Sequence, residues 1–196
     1  MPERVLMVFA LLVLVLPAHA GTILYSDNGT FSAATPTTTF SGPNRTWSFS
    51  FQVDSSPVVS VNPGFGFSPV FSNFSYSLDG SPVAVTPTSL SFFNAASGGG
   101  FSFCLINTPA PCTALSLNDS GGPQMYTGLD SAPTMLTGGF AVHTTFAVGR
   151  TLYTQPDTTV QAAALPEPST LLMLAAGLLA LRGRRLIRQG GPRFDG

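Results

Sequence analysis

Apolar residues recur at every second position in several stretches of the chain. The clearest runs from Thr46 to Val53, where Trp47, Phe49, Phe51 and Val53 alternate with Thr46, Ser48, Ser50 and Gln52. A period of two puts one set of side chains in a core and the other in water, the pattern of a half-buried strand. Phe74, Tyr76 and Leu78 repeat it, as do Phe101, Phe103 and Leu105. A longer run follows at Phe140, Val142, Thr144, Phe146 and Val148. Between residues 21 and 161 no segment of comparable length shows the 3.6-residue spacing of a helix.

Turn chemistry separates these runs. Asp27-Asn28-Gly29, between Ile23-Leu24-Tyr25 and Phe31, reads as a tight turn, because Asn-Gly accepts positive φ. Asp79-Gly80 after Leu78 is a second such signal. Gly98-Gly99-Gly100 and Gly121-Gly122-Pro123 read as loops. Ser-Pro-Val recurs at Ser56, Ser68 and Ser81, and reads as a device that opens strands, where proline forfeits a donor facing solvent. Many short strands at this spacing predict an all-β body, an antiparallel β-sandwich or jelly roll. A β-solenoid is the second architecture, although it calls for longer periodic repeats.

Both ends break the alternation. Arg4, an apolar run over residues 5–16, Pro17 and Ala18-His19-Ala20 make a positive region, a hydrophobic region and an A-x-A cleavage site. That run is shorter than the roughly 20 apolar residues that span a bilayer as a helix. It predicts a signal helix cut after Ala20, which implies the general secretion machinery as a partner. At the other end Pro166-Glu167-Pro168, with Ser169 or Thr170 as a helix cap, precedes an apolar run over residues 171–181. Arg182, Arg184, Arg185 and Arg188 follow. Arginines stay on the cytoplasmic side, so the body lies outside, the topology that the signal segment predicts independently.

Triplet, apolar run and arginine cluster in that order resemble the PEP-CTERM sorting signal, a segment also known from the C-terminus of some ice-binding proteins. The resemblance implies an exported bacterial envelope protein processed by an exosortase. Such an enzyme is a membrane-embedded, cysteine transpeptidase-like protein that cuts near Pro166-Glu167-Pro168. It further implies an inner-membrane anchor before processing, then a place on the outer surface or in the extracellular matrix, with exopolysaccharide and biofilm as the setting. Roughly eleven apolar residues rising about 1.5 Å each cover only about half of a ~30 Å hydrocarbon core. The anchor is therefore weak and must borrow Leu186, Ile187 and snorkelling arginines. The expected organisation is a signal peptide at 1–20, an all-β exported domain at 21–164, a sorting tail at 165–188 with a transmembrane helix at about 169–187, and a polar tail at 189–196.

Charged residues are 9 % of the 196 residues and lysine is absent. The body carries Asp27, Asp54, Asp79, Asp119, Asp130 and Asp157 against Arg45 and Arg150. That mildly acidic balance excludes nucleic-acid binding, which needs clustered Lys or Arg. Phe, Val and Leu are still sufficient for a core, which sets the chain apart from disordered compositions.

Catalytic signals are scarce. There is no G-x-S-x-G, phosphate loop or H-E-x-x-H, and the body before the tail has no glutamate. His143 lies between Val142 and Thr144, on the face opposite Phe140 and Val142, and reads as a solvent-facing strand residue; a catalytic base is the alternative. The aspartates mostly adjoin Gly, Asn or Ser, as turn residues do. Asn118-Asp119-Ser120-Gly121 reads as an Asx turn, with a calcium site as the alternative. Thr35-Pro36-Thr37-Thr38-Thr39 reads as a loop, with a hydroxyl array for ice as the alternative. No catalytic residue, metal set or cofactor is assigned. The expected function is a non-enzymatic surface or matrix protein; a carbohydrate- or ice-binding β module is the second reading and a hydrolase the third.

Cys104 and Cys112 are the only cysteines. In an exported protein a pair reads as a disulfide, here closing a short loop. Such a cross-link stabilises by roughly 2–3 kcal/mol on chain-entropy grounds. Reduction is expected to lower the melting temperature while the aromatic core keeps the fold. Two free thiols in protein isolated from the envelope would contradict the pairing.

Overall fold

The computed structural model of the chain describes residues 21–85, 87–104, 115–120, 122–148, 151–166 and 177. Its elements in order are β1 (Thr22–Thr30), β2 (Thr46–Asn62), β3 (Gly66–Leu78), β4 (Ser81–Pro82), β5 (Leu90–Phe93), a 3-10 turn (Ala95–Ser97), β6 (Gly100–Cys104) and β7 (Leu115–Ser120). Then come β8 (Tyr126–Leu129), β9 (Ala132–Met135), β10 (Gly138–Val148), β11 (Thr151–Thr154) and β12 (Thr158–Ala164). The main sheet follows the order β11-β10-β12-β1-β2-β3-β5-β6-β7, and β7 returns to pair with β10. Among the described residues every pairing is antiparallel.

The antiparallel β class is as the alternation predicts, and the solenoid is overturned by the antiparallel register throughout. The strand pairing does not establish the expected sandwich or jelly roll. It describes one sheet curled until its ends meet. The long strand β10 makes the closure: Gly138 to Val142 lie against β12, and His143 to Val148 lie against β7. The signal helix lies outside the described residues. So does the anchor helix, apart from Gly177 in helical geometry. Among the described residues no helix is long and apolar enough to cross a membrane.

Aromatic rings fill the curl. Trp47, Phe49, Phe51 and Val53 all point inward and are buried, as their period demands. Tyr25 stacks on Phe51 at 5.2 Å between ring centroids, and Phe101 meets Phe51 edge-on at the same separation. Trp47 stacks on Phe49 at 5.8 Å. Such pairs add about 0.5–1.5 kcal/mol each beyond their area burial. One mouth is capped by the β8–β9 hairpin, whose Tyr126 packs edge-on against Phe67 at 4.9 Å. At the other mouth Phe31 is buried and the Tyr76 hydroxyl donates to the Phe40 carbonyl at 2.7 Å. Outward positions are hydroxyl-rich, as where Ser48 and Ser77 share a hydrogen bond of 2.7 Å between β2 and β3.

The turn readings divide. Asp79-Gly80 is a two-residue hairpin turn: both residues have positive φ, 50° and 76°, and Leu78 pairs with Ser81. Asp79 accepts hydrogen bonds from the Thr46 amide (2.9 Å) and Arg45 Nε (2.8 Å), so its carboxyl is held below the usual range, first by the guanidinium. Gly98 and Gly99 form the expected loop, with Gly100 opening β6.

Asp27-Asn28-Gly29, by contrast, is no turn. These residues continue β1 and pair with Phe49, Ser48 and Trp47. A Cβ on Gly29 would stand 2.7 Å from the Trp47 ring, so the glycine makes room for the indole and supplies no positive φ. Asn118-Asp119-Ser120 likewise belongs to β7, between β6 and β10. Of the Ser-Pro-Val triplets only Ser81 opens a strand. Ser68 lies just inside β3, and Pro57 sits within β2 where the register with β3 shifts between Val53 and Val58. A ladder irregularity tolerates a residue without an N–H.

Asp27 is the largest departure from the reading of aspartates as turn residues. It is 3 % exposed and points inward in phase with Ile23 and Tyr25. Its carboxylate accepts from the Thr158 hydroxyl (2.6 Å) and the Asn28 amide (2.7 Å). Burial nevertheless pushes its pKa up, and the two hydrogen bonds only partly offset that.

Two outcomes follow from this packing. Gly29→Ala is expected to destabilise by roughly 1–3 kcal/mol through overpacking, and by much less in a Trp47→Phe background; equal losses in both backgrounds would remove the steric account. A folded pKa above the unfolded value means that Asp27 contributes its stability below the unfolded pKa and loses it as pH rises through the folded pKa. Asp27→Asn is therefore expected to gain on wild type between acid and neutral pH in denaturant titrations. A pH-independent difference would contradict the buried-charge assignment.

Candidate functional site

The sorting tail leaves the fold at a defined point. β12 pairs with β1 in the register Ile23↔Ala164, Leu24↔Ala163, Tyr25↔Ala162 and Ser26↔Gln161. Val160 and Ala162 face the core, while Thr159, Gln161 and Ala163 face outward. The ladder ends where the Leu165 amide donates to the Thr22 carbonyl at 2.8 Å. Pro166 comes next and is exposed; lacking an N–H, it cannot extend the ladder. Gly21, the residue after the expected signal cleavage, is the neighbour of Thr22 in this same seam. Both chain ends therefore leave the body at one rim, on adjacent antiparallel strands.

Of the expected sorting residues, Pro166 is described and lies outside the ladder. Glu167, Pro168, Arg182, Arg184, Arg185 and Arg188 lie outside the described residues, as do Ala18 and Ala20. The Cys104–Cys112 pairing also lies outside them: the Cys104 backbone ends β6 opposite Ser116, but its side chain and Cys112 are not described.

His143 faces solvent, as its strand position predicts, and pairs with Asp157 through Nδ1. Their side chains are 54 % and 69 % exposed, a contact on the open surface. A hydrolase would need a hydroxyl or thiol joined to this pair. No such hydrogen bond to His143 occurs among the described residues.

Two arrangements were not read from sequence. The first is the inward chain Asp27, Thr158 and Thr144, in which the two threonine hydroxyls lie 2.9 Å apart. Its signal was parity, since Asp27 and Thr144 occupy inward positions of strands otherwise filled by apolar residues. The second is a shallow outward groove across β1, β2 and β3, lined by Asn28, Thr30, Thr46, Ser48 and Ser77 beside Trp47. Nothing in the periodicity distinguishes a grooved hydroxyl face from a flat one. The Thr35 to Thr39 stretch is a loop as read, and Thr35 is buried with its hydroxyl near Ser32 and Gln155. Among the described residues no group of three or more His, Cys, Asp or Glu could hold a metal ion.

Comparison with known proteins bears on the tail. Neither the curated proteins nor the solved structures include a match to the chain. A family profile described as the PEP-CTERM protein-sorting motif matches residues 164–188, beginning at the last residue of β12. The chain thus carries a PEP-CTERM protein-sorting motif, which makes it an exported protein held in a membrane until an exosortase processes it.

Proposed function

We propose that the chain is a non-enzymatic surface or matrix protein, delivered by its tail and associated after processing with exopolysaccharide. The observation that carries this reading is the junction at Leu165 and Pro166, where an aromatic-filled body stops and the sorting motif begins within one residue. A body that owes its coherence to a packed interior and presents hydroxyls outward suits a component embedded in a hydrated polysaccharide.

A carbohydrate-binding module is the second reading, favoured by the hydroxyl-lined groove beside Trp47. Stacking on sugars needs exposed rings, and Trp47, Tyr25, Tyr76 and Tyr126 are all buried. Contact with polysaccharide would then be made by hydroxyl and amide groups, with weak affinity per site and many sites per polymer.

Changing Pro166, Glu167 and Pro168 together to alanine is expected to leave export intact while removing what the exosortase reads. The variant should accumulate in membranes as a heavier, outward-facing form. Wild type should fractionate with the polysaccharide matrix and leave a panel of glycans and peptides uncut. Normal processing of the variant would reduce the tail to a hydrophobic anchor, and turnover of any panel member at enzymatic rates would overturn the non-enzymatic reading.

A further inference from the structure

The rim from which both chain ends leave also carries two prominent apolar side chains. β2 continues past its last residue paired with β1, Asp54, to Asn62, then turns through Pro63-Gly64-Phe65 into β3. Phe65 is 60 % exposed. The β8–β9 hairpin joins β7 to β10 at this same end, and its Leu129 is 72 % exposed. Both are costly to leave in water.

These side chains are held on a built cap. The Asn94 amide donates to the Phe65 carbonyl at 2.9 Å, and Asn94 Nδ2 donates to Asp130 Oδ2 at 3.2 Å. Ser97 Oγ donates to the Gly64 carbonyl at 3.0 Å, and the Tyr126 hydroxyl donates to Asp130 Oδ1. One residue, Asn94, thus ties the Phe65 turn to the Leu129 turn. Buried Tyr126 and Met135 root the second turn in the core.

The tail says what lies opposite this cap. Among the described residues Leu165 is the last tied to the sheet, and the apolar run starts at Leu171. Fully extended, the intervening chain reaches at most about 20 Å at ~3.3–3.6 Å per residue. While the run is held in hydrocarbon, Leu165 must stay within that distance of it, which turns this end of the body toward the lipid, and roughly 5–7 Å is headgroup layer. Among the described residues the only arginine, Arg45, lies at the opposite end, next to the start of β2. Attraction at this rim is therefore apolar and not electrostatic.

We propose that, before exosortase cleavage, the folded body docks on the lipid surface through Phe65 and Leu129, placed at the boundary of headgroups and acyl chains. Docking fixes which rim faces the membrane and holds Pro166 and the residues after it at the surface where a membrane-embedded enzyme works. Two side chains alone bind marginally, so cutting the tail releases the body.

The test uses the full chain reconstituted in phosphatidylcholine vesicles whose acyl chains are brominated near the headgroup, a quencher of indole emission. Phe65→Trp is compared with Ser81→Trp, an exposed position at the opposite end; Trp47, common to both, is buried. The indole introduced by Phe65→Trp is expected to lose most of its emission, while the one introduced by Ser81→Trp keeps its own, with no dependence on salt. Equal emission from both, in a chain that still floats with the vesicles, overturns docking and leaves anchoring standing. A chain that does not float with lipid overturns anchoring and docking together. A Phe65→Trp indole shielded from iodide but not quenched by bromine, with self-association rising at higher protein per vesicle, assigns the cap to a second copy and overturns the lipid surface. Unchanged melting temperatures of both variants show that neither has altered the fold.

Discussion

The seam between β1 and β12 is the constraint on which the remaining architecture depends. It joins the first and last strands of the body, so the sheet can close only after the whole body exists. Every other neighbour of β1 is local by comparison, since β2 follows it through a single loop. Closure by distant strands carries a loop-entropy cost that short hairpins do not. It also pairs the long strands on both sides and leaves only short strands such as β11 and β4 with an open edge, so few unpaired amides face other chains. For an exported protein, paired edges guard against aggregation. The same seam fixes where the two ends emerge, and so makes one rim the membrane side.

What fills the curl explains why it holds its shape. Rings from β1, β2, β5 and β6 meet around Tyr25, Phe51, Phe92 and Phe101, each essentially without solvent contact. Large rigid side chains gain much area for few rotatable bonds, which suits a body poor in Lys and Glu and rich in Ser and Thr. The interior is not wholly apolar. Asp27, Thr144, Thr158 and Gln155 form a polar segment toward the end opposite the tail. There the carboxylate is satisfied by hydrogen bonds yet still carries the cost of desolvation.

The strands themselves were legible because burial on one face writes a period of two. Trp47 to Val53 could be read with no further information, and so could the Asp79-Gly80 turn, where two consecutive positive φ values leave few alternatives. Closure was not legible. A sandwich and a curled sheet share the same alternation, and they differ only in whether β7 finds β10. Asn28-Gly29 misled because the dipeptide is compatible with positive φ but does not require it, and the bulk of Trp47 gave the glycine another purpose. Asp27 and Asn118 to Ser120 misled for a related reason: Asp, Asn and Ser favour turns only when no neighbouring strand claims their backbone, and here β2, β6 and β10 do. The sorting motif was the most legible feature of all. Its physical elements, a ladder-stopping proline pair, an apolar run and an arginine cluster, are contiguous in sequence and need no tertiary partner.

Native-state hydrogen exchange of the Leu165 amide, read together with the β12 amides from Thr158 to Ala164, tests the account most directly. If the seam is integral to the fold, Leu165 should be protected through its bond to Thr22 and should open with the same free energy as the β1 and β2 amides. Exchange of Leu165 and β12 at loop-like rates, with β1 and β2 still protected, would show that the last strand is peripheral. The sorting tail would then hang from a frayed end and not from a fixed point on the sheet.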